Sequence, residues 1–274
     1  MKYEQLIKFY YNKKIIVTGH TGFVGSWLSF ILSNYGSKVY GVSLKPNTKP
    51  NNFNILEIEN KIKKSFILNI LNKAALNKVF RKVKPDIVFH LAAQPYVIES
   101  YKKPEETIKS NYIGTFNILE CIRKFNTKQN VIITTDKVYE NLEKKKYFKE
   151  SDKLGGKDIY SGSKAAAEIL CDSYFHSFLK NKSIYLDTAR AGNIIGGGDF
   201  GKDRLVPDII RSINSKKIFH VRSPNSIRPW QHIFDVCFGY MLIPINQQKR
   251  NSLKMSWNFG PDKRDSKFKV SKIV

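Results

Sequence analysis

Thr18-Gly19-His20-Thr21-Gly22-Phe23-Val24-Gly25 decides the fold. Its three glycines follow a G-x-x-G-x-x-G spacing, between an apolar run at Lys14 to Thr18 and a helical pattern from about Val24 to Tyr35 that Gly36 stops. A parallel strand buried on both faces reads as such a continuous apolar run, here Ile15-Ile16-Val17. Gly19 permits a tight turn, Gly22 lets a pyrophosphate approach the backbone, and Gly25 lets helix and strand pack closely. The helix N-terminus then offers amide donors and a positive dipole to phosphate. A glycine triplet alone is weak, but between a strand and a helix near the N-terminus it predicts dinucleotide binding.

Outward from the turn, strand and helix signals alternate. Strands are expected at Lys38–Leu44, Ser65–Leu68, Asp86–Leu91, Val131–Thr135 and Ile184–Ala189. Helices are expected from Pro104 to about Phe125, with Ile108, Tyr112, Phe116, Leu119 and Ile122 at helical spacing, and from Ser163 to Leu179. Alternation of this kind predicts an α/β chain: a Rossmann-type, doubly wound parallel sheet with right-handed crossovers. After Gly196-Gly197-Gly198 the rhythm breaks at Pro207, Pro224 and Pro229. The expected division is therefore residues 1–192 as the dinucleotide-binding domain and 193–274 as a smaller C-terminal substrate-binding lobe, with some elements returning to the sheet. The end of the second strand, Gly41-Val42-Ser43-Leu44-Lys45, lacks the carboxylate that usually holds the adenosine ribose. Ser43 could bond that ribose and Lys45 could tolerate a 2′-phosphate, so NAD is favoured and NADP stays open.

Composition narrows the class further. The 274 residues, 42% hydrophobic, suffice for one large core with a grafted lobe. No stretch reaches the roughly 20 apolar residues of a membrane span; the best window, Phe23 to Leu32, is broken by Gly25, Ser26 and Ser29. No apolar leader follows Lys2, and Cys121, Cys171 and Cys237 lie far apart in apolar patterns, so a cytoplasmic protein with free thiols and no metal knuckle is expected. The net charge of +24 suggests nucleic acid. Its lysines are nonetheless spread along the chain, and the one tight run, Lys144-Lys145-Lys146, has no aromatic interleaving. A solvated surface that attracts small anions is expected instead.

Tyr160-Ser161-Gly162-Ser163-Lys164 places a tyrosine and a lysine on one face of a helix start. A free tyrosine has a pKa of about 10, and nearby positive charge lowers it. Lys164 and an oxidised nicotinamide together are expected to make Tyr160 a base for a sugar hydroxyl as hydride leaves. Thr134-Thr135-Asp136-Lys137 ends the strand entering the same region and offers a hydroxyl, an acid and a base; solvated charges at a strand end are the alternative.

The runs GHTGFVGSWL (from Gly19), VFHLAAQP (88–95), TTDKVYEN (134–141), YSGSKAAAE (160–168), RAGNIIGGGDF (190–200), IRPWQH (227–232) and Trp257-Asn258-Phe259-Gly260-Pro261 resemble the CDP-glucose 4,6-dehydratases of the extended short-chain dehydrogenase/reductase family. That resemblance implies an internal dehydration of a nucleotide-sugar substrate. Tyr160 deprotonates the sugar O4 as hydride passes from C4 to NAD⁺, oriented by Lys164 and Thr135; Lys137 assists loss of the C5 proton; Asp136 protonates the departing C6 hydroxyl. Implied cofactor contacts are Gly19, Thr21, Gly22, Phe23, Val24, Gly25, Asn69, Ile70, Leu91, Ala92, Ala93, Tyr160 and Lys164, with Asn69 standing where relatives usually carry Asp. Implied substrate contacts are Gln94, Asn193, Arg204 and Arg228, whereas Trp230 and His232 read as lobe packing. A homodimer through the Tyr160 helix and the Pro104 helix is also implied. Relatives continue for several elements after Pro261, so the lobe is expected to be incomplete.

Two rivals remain. A UDP-sugar 4-epimerase would share Tyr160 and Lys164 but needs no acid at C6, against which the Asp136-Lys137 pair stands. A non-catalytic binder of dinucleotide or nucleotide sugar rests on the short C-terminus alone.

Overall fold

The computed structural model describes residues 3–141, 147–221, 223–262 and 269–272. The Lys144-Lys145-Lys146 run and the residues from Lys263 to Lys267 lie outside them. Helix α1 (Tyr3–Tyr10) leads into β1 (Lys14–Thr18), and the glycine turn connects β1 to α2 (Phe23–Asn34). There follow β2 (Lys38–Ser43), the short α3 (Asn52–Ile55) and α4 (Ile58–Lys61), β3 (Lys64–Ile67), α5 (Lys73–Val83) and β4 (Ile87–His90). Next come α6 (Val97–Lys102), α7 (Pro104–Ile108), α8 (Gly114–Phe125), β5 (Gln129–Ile133), α9 (Ile159–Tyr174) and β6 (Tyr185–Ala191). The chain then runs through β7 (Asn193–Ile195), α10 (Leu205–Asn214), β8 (Trp230–His232), α11 (Ile233–Gln247) and β9 (Ser256–Phe259).

Seven strands form one parallel sheet in the order β3-β2-β1-β4-β5-β6-β9. Successive strand residues point to opposite faces, and both faces are covered. Ile15, Val17, Phe89 and Val131 pack with Leu28, Leu32, Tyr240 and Met241 of α2 and α11. Ile16, Val88 and Ile132 pack with Phe80, Ile118, Ile122 and Cys171 of α5, α8 and α9. Burying such side chains contributes roughly 1.5–3 kcal/mol each, which is why unbroken apolar runs mark the central strands β1 and β4.

The last third of the chain serves two places. Residue Asp187 of β6 takes bonds from Met255 N at 2.8 Å and Trp257 Nε1 at 3.0 Å, docking β9 onto the sheet edge. With α11 in the sheet's core, residues 193–232 remain as the cover, in which β7 pairs with β8.

The helix expected from Pro104 is interrupted. Between α7 and α8 lies a π-turn, Lys109–Ile113, that adds a residue and rotates the first half relative to the second. The expected apolar stripe therefore holds only in α8, where Leu119 and Ile122 are buried, while Ile108 is 45% exposed. Thr107, Asn111 and Thr115 face inward in its place. The order of strands reverses between β1 and β4, the position at which open α/β sheets hold ligands.

Candidate active site

At that reversal the glycine turn is locked by contact. Gly19 sits at φ +75°, its amide bonded to Val42 O at 2.8 Å, and a Cβ there would stand 2.8 Å from Ala92 N. A Cβ on Gly25 would lie 2.1 Å from Gly19 O. Gly22 caps α2 without a side-chain bond, and no acidic residue stands in the first turn of α2. The helix start thus keeps its donors and dipole for an anion, a cradle fitted to the pyrophosphate of a dinucleotide.

On the adenosine side hydroxyls stand where a carboxylate is usual. Thr21 Oγ1 donates to Leu44 O at 2.9 Å and accepts from Ser43 Oγ at 2.8 Å. Asn69 Oδ1 accepts from Leu71 N, and the buried Ile70 lies so near α8 that a Cβ on Gly114 would be 2.4 Å from it. Under the Leu91–Ala93 segment, Thr18 Oγ1 accepts from Leu91 N and Ala92 N and so donates to His90 Nδ1 at 2.7 Å. The His90 proton therefore sits on Nε2, facing Thr115 Oγ1 at 3.1 Å, which donates to Asn111 O. Burial, assisted by Lys164, pushes His90 down to about 3 and keeps it neutral. Asn111 carries the chain onward: its carboxamide bonds Gln94 N, Gln94 O and Ser163 Oγ of α9.

Asp158 caps α9 through Ser161 N at 2.9 Å, fixing Tyr160 and Lys164 at the start of the helix. Lys164 Nζ reaches Ile133 O at 3.1 Å, and burial lowers its pKa to about 8. Burial pushes Tyr160 up to about 12, and the principal opposing influence is its hydrogen bond to Thr135. Thr135 Oγ1 also lies 3.1 Å from Asp136 Oδ1. Partial desolvation raises the Asp136 pKa and lowers that of Lys137, which is itself exposed at the cleft and whose Nζ stands 5.9 Å from the Tyr160 ring centre. An acid held towards its neutral form and an amine held towards its free-base form thus meet beside one tyrosine.

These groups open into a cleft of about 1130 Å³ that Asn193, Arg204 and Arg228 also line. Arg204 Nη1 is tied to Asp199 Oδ2 at 3.0 Å, and its guanidinium lies 5.5 Å from the Tyr96 ring centre. Gln94 does not line this cleft: its amide bonds Tyr96 O, Tyr96 N and Thr107 Oγ1, bracing the loop after β4. Trp230 lines the cleft, while His232 caps α11 by accepting from Phe234 N. Asn111, Glu168, Arg190, Asp199 and Trp27, whose Nε1 holds Gly197 O at 2.8 Å, were given no role in the sequence reading, although all but Asn111 stand in the runs that carry the resemblance. Among them only Glu168 carried a local signal, its spacing of one turn from Lys164.

A doubly wound sheet, a side-chain-free phosphate cradle and a buried tyrosine–lysine helix define a dinucleotide-dependent enzyme. The profile of the NAD dependent epimerase/dehydratase family matches residues 15–258. CDP-glucose 4,6-dehydratase of Salmonella typhimurium is 41% identical over 276 residues, spanning 97% of this chain and 77% of that protein. dTDP-D-glucose 4,6-dehydratase of Dictyostelium discoideum is 29% identical, spanning 96% of this chain and 61% of that one. Among solved structures, MoeE5 in complex with UDP-glucose and NAD superposes with TM-score 0.79 at 22% identity, covering 95% of this chain and 79% of that one. The UDP-glucose 4-epimerase of Thermus thermophilus, in complex with NAD, superposes with TM-score 0.79 at 22% identity, over 94% of this chain and 80% of that one. The chain belongs to the NAD dependent epimerase/dehydratase family, and its cofactor is NAD.

Proposed function

We propose that this chain is a CDP-glucose 4,6-dehydratase, a hydro-lyase of deoxysugar formation. One observation carries the reading: the half-buried Asp136 and the exposed Lys137 line the same cleft as the buried Tyr160, with pKa directions suited to acid and base. Epimerisation at C4 has no use for them. The 41% identical relative supports CDP-glucose as the nucleotide sugar.

NAD, when bound, supplies storage for one hydride, taken from sugar C4 and given back at C6, and in its oxidised form a positive charge. Tyr160 takes the O4 proton. Thr135 has one hydroxyl proton, placed between Tyr160 and Asp136. With Asp136 protonated, that carboxyl donates to Thr135 and leaves the threonine proton for the phenolate. Lys164, anchored on Ile133 O, keeps a cation close behind Tyr160. The C4 ketone acidifies C5, whose proton Lys137 takes, while Asp136 delivers its own proton to the C6 hydroxyl, which leaves as water; Lys137 then hands its proton back to C5 as C6 is reduced. Arg204, Arg228 and Asn193 hold the nucleotide diphosphate, the guanidinium fork matching phosphate geometry.

Gly19, Gly22 and Gly25 with Thr21, Phe23 and Val24 hold the dinucleotide phosphates, and Asn69, Ile70 and Leu91 to Ala93 flank its adenosine half. Three buried free cysteines suit a cytoplasmic protein. An apolar groove of about 720 Å³, lined by Tyr101, Ile108, Tyr112, Ile159 and Ile169, suits a homodimer through α7 and α9.

The deciding experiment incubates the protein with NAD⁺ and, separately, CDP-glucose, dTDP-glucose or UDP-glucose, followed by mass spectrometry. Loss of one water from CDP-glucose, abolished in Tyr160→Phe and reduced at least about 100-fold in Asp136→Asn, is the expected result. Binding of NAD⁺ without water loss from any of the three sugars overturns the reading.

A further inference from the structure

Glu168 follows Lys164 by one helical turn on α9, and its side chain is 2% exposed. A carboxylate and an amine at that spacing ordinarily pair. Here they do not. Lys164 Nζ turns to Ile133 O at 3.1 Å, and both oxygens of Glu168 are taken by other donors. Oε1 accepts from Thr134 Oγ1 at 2.5 Å and Arg190 Nε at 3.0 Å. Oε2 accepts from Thr188 Oγ1 at 2.7 Å and Arg190 Nη2 at 2.8 Å. Arg190, equally buried, spends its remaining donors on Tyr139 Oη at 2.8 Å, Glu150 O at 3.0 Å and Ser256 Oγ at 3.1 Å. One bidentate pair thereby ties α9, the loop that begins at Thr134, β6 and β9 together.

We propose that Glu168 and Arg190 are positioning residues of the active site: Arg190 occupies the Glu168 carboxylate, so Lys164 stays free of an ion pair and Thr135 to Lys137 stay in register with Tyr160. The charges around Lys164 leave this task to one pair. On α9 the groups that reach it are Glu168 and Cys171, whose burial keeps it a neutral thiol. From β4 it meets His90, held neutral, and β6 contributes Arg190 itself. Asp136, Asp158 and Arg204 act on Tyr160, one turn earlier in α9, and Asp136, Arg228, Asp158 and Arg204 on Lys137. Without Arg190 an uncompensated carboxylate would sit one turn from Lys164 in a low-dielectric interior, where it holds the ammonium charged. The consequence for turnover rests on the role given to Lys164 above; the electrostatic coupling does not.

Two measurements test this, on wild type, Glu168→Gln, Arg190→Met and the double variant. The first is the titration of Lys164 in protein carrying ¹³Cε-lysine, its resonance assigned by loss in Lys164→Arg. The second is the alkaline limb of CDP-glucose turnover. Arg190→Met should raise the Lys164 titration by about one pH unit, a tenfold change in proton affinity, and Glu168→Gln should lower it. The double variant should return to within about half a unit of wild type, because both charges are gone. A merely structural pair would give no opposite signs and no recovery. If Arg190→Met does not fold, the Glu168→Gln direction and the double variant still decide. An unmoved titration, or a double variant shifted as far as Arg190→Met, overturns the proposal. Absence of turnover in wild type would instead strike the dehydratase reading, with the titration still readable.

Discussion

Buried at the carboxyl end of β4, His90 is folded as a neutral ring at about 3, and His20, whose Nε2 lies 2.7 Å from Ser65 Oγ, as one at about 4. An unfolded histidine titrates near 6.5. Between these values the unfolded chain binds more protons, so each group's stabilisation is present above about 6.5 and is lost as pH falls towards its folded value. The slope is roughly 1.4 kcal/mol per pH unit for each proton. Urea unfolding followed from about pH 6 down to about pH 4.5 should show a steep loss of stability. His90→Gln should shallow it by about one proton, and an identical slope in the variant would remove His90 from the account. At this scale the sequence was readable where chemistry is local: Tyr160 with Lys164, and Thr135 to Lys137, are near neighbours with a spacing to see. Glu168 with Arg190 and Asn111 with Ser163 are separated by 22 and 52 residues, and no periodicity announces a contact made by tertiary folding.

Where the glycine turn meets α2, Gly25 has no room for a single methyl group. Gly25→Ala would place its Cβ 2.1 Å from Gly19 O, a carbonyl already held by Gly22 N at 3.0 Å, so neither partner has room to yield. The expected outcome is a loss of about 2–3 kcal/mol or more in stability and at least about 100-fold weaker NADH binding, equivalent to about 2.7 kcal/mol, read by fluorescence titration. Gly197→Ala, where a Cβ meets nothing within 4 Å, should bind normally; equal damage in both would contradict the close-approach argument. Elements β1 and β4 were the plainest to read, because strands buried on both faces leave unbroken apolar runs; β2, β3, β5 and β6 were legible from shorter apolar stretches in an alternating order of strand and helix. The three-residue strands β7 and β8 and the π-turn were not, since long-range packing rather than local propensity selects them.

The whole molecule leaves an apolar flank on α7 and α9, with Ile108 at 45% and Ile169 at 55% exposed, against a surface otherwise rich in lysine. A chain carrying +24 repels its copies at long range, so pairing through this flank should strengthen with salt. Sedimentation at micromolar concentration should give a dimer, and Ile169→Asp a folded monomer; a monomeric wild type in moderate salt would end the pairing proposal.

The π-turn at Lys109–Ile113 has a consequence for how substitutions spread through this part of the molecule. One added residue gives a single continuous rod two unrelated inner faces. Before the turn and within it that face is Thr107 and Asn111, which reach the loop after β4 and the start of α9; after it the face is Ile118, Leu119 and Ile122, which fill the core. Upstream changes should therefore register in what the enzyme does and downstream changes in whether it survives heating. A one-residue deletion inside the turn would merge the two faces and let both properties fail together.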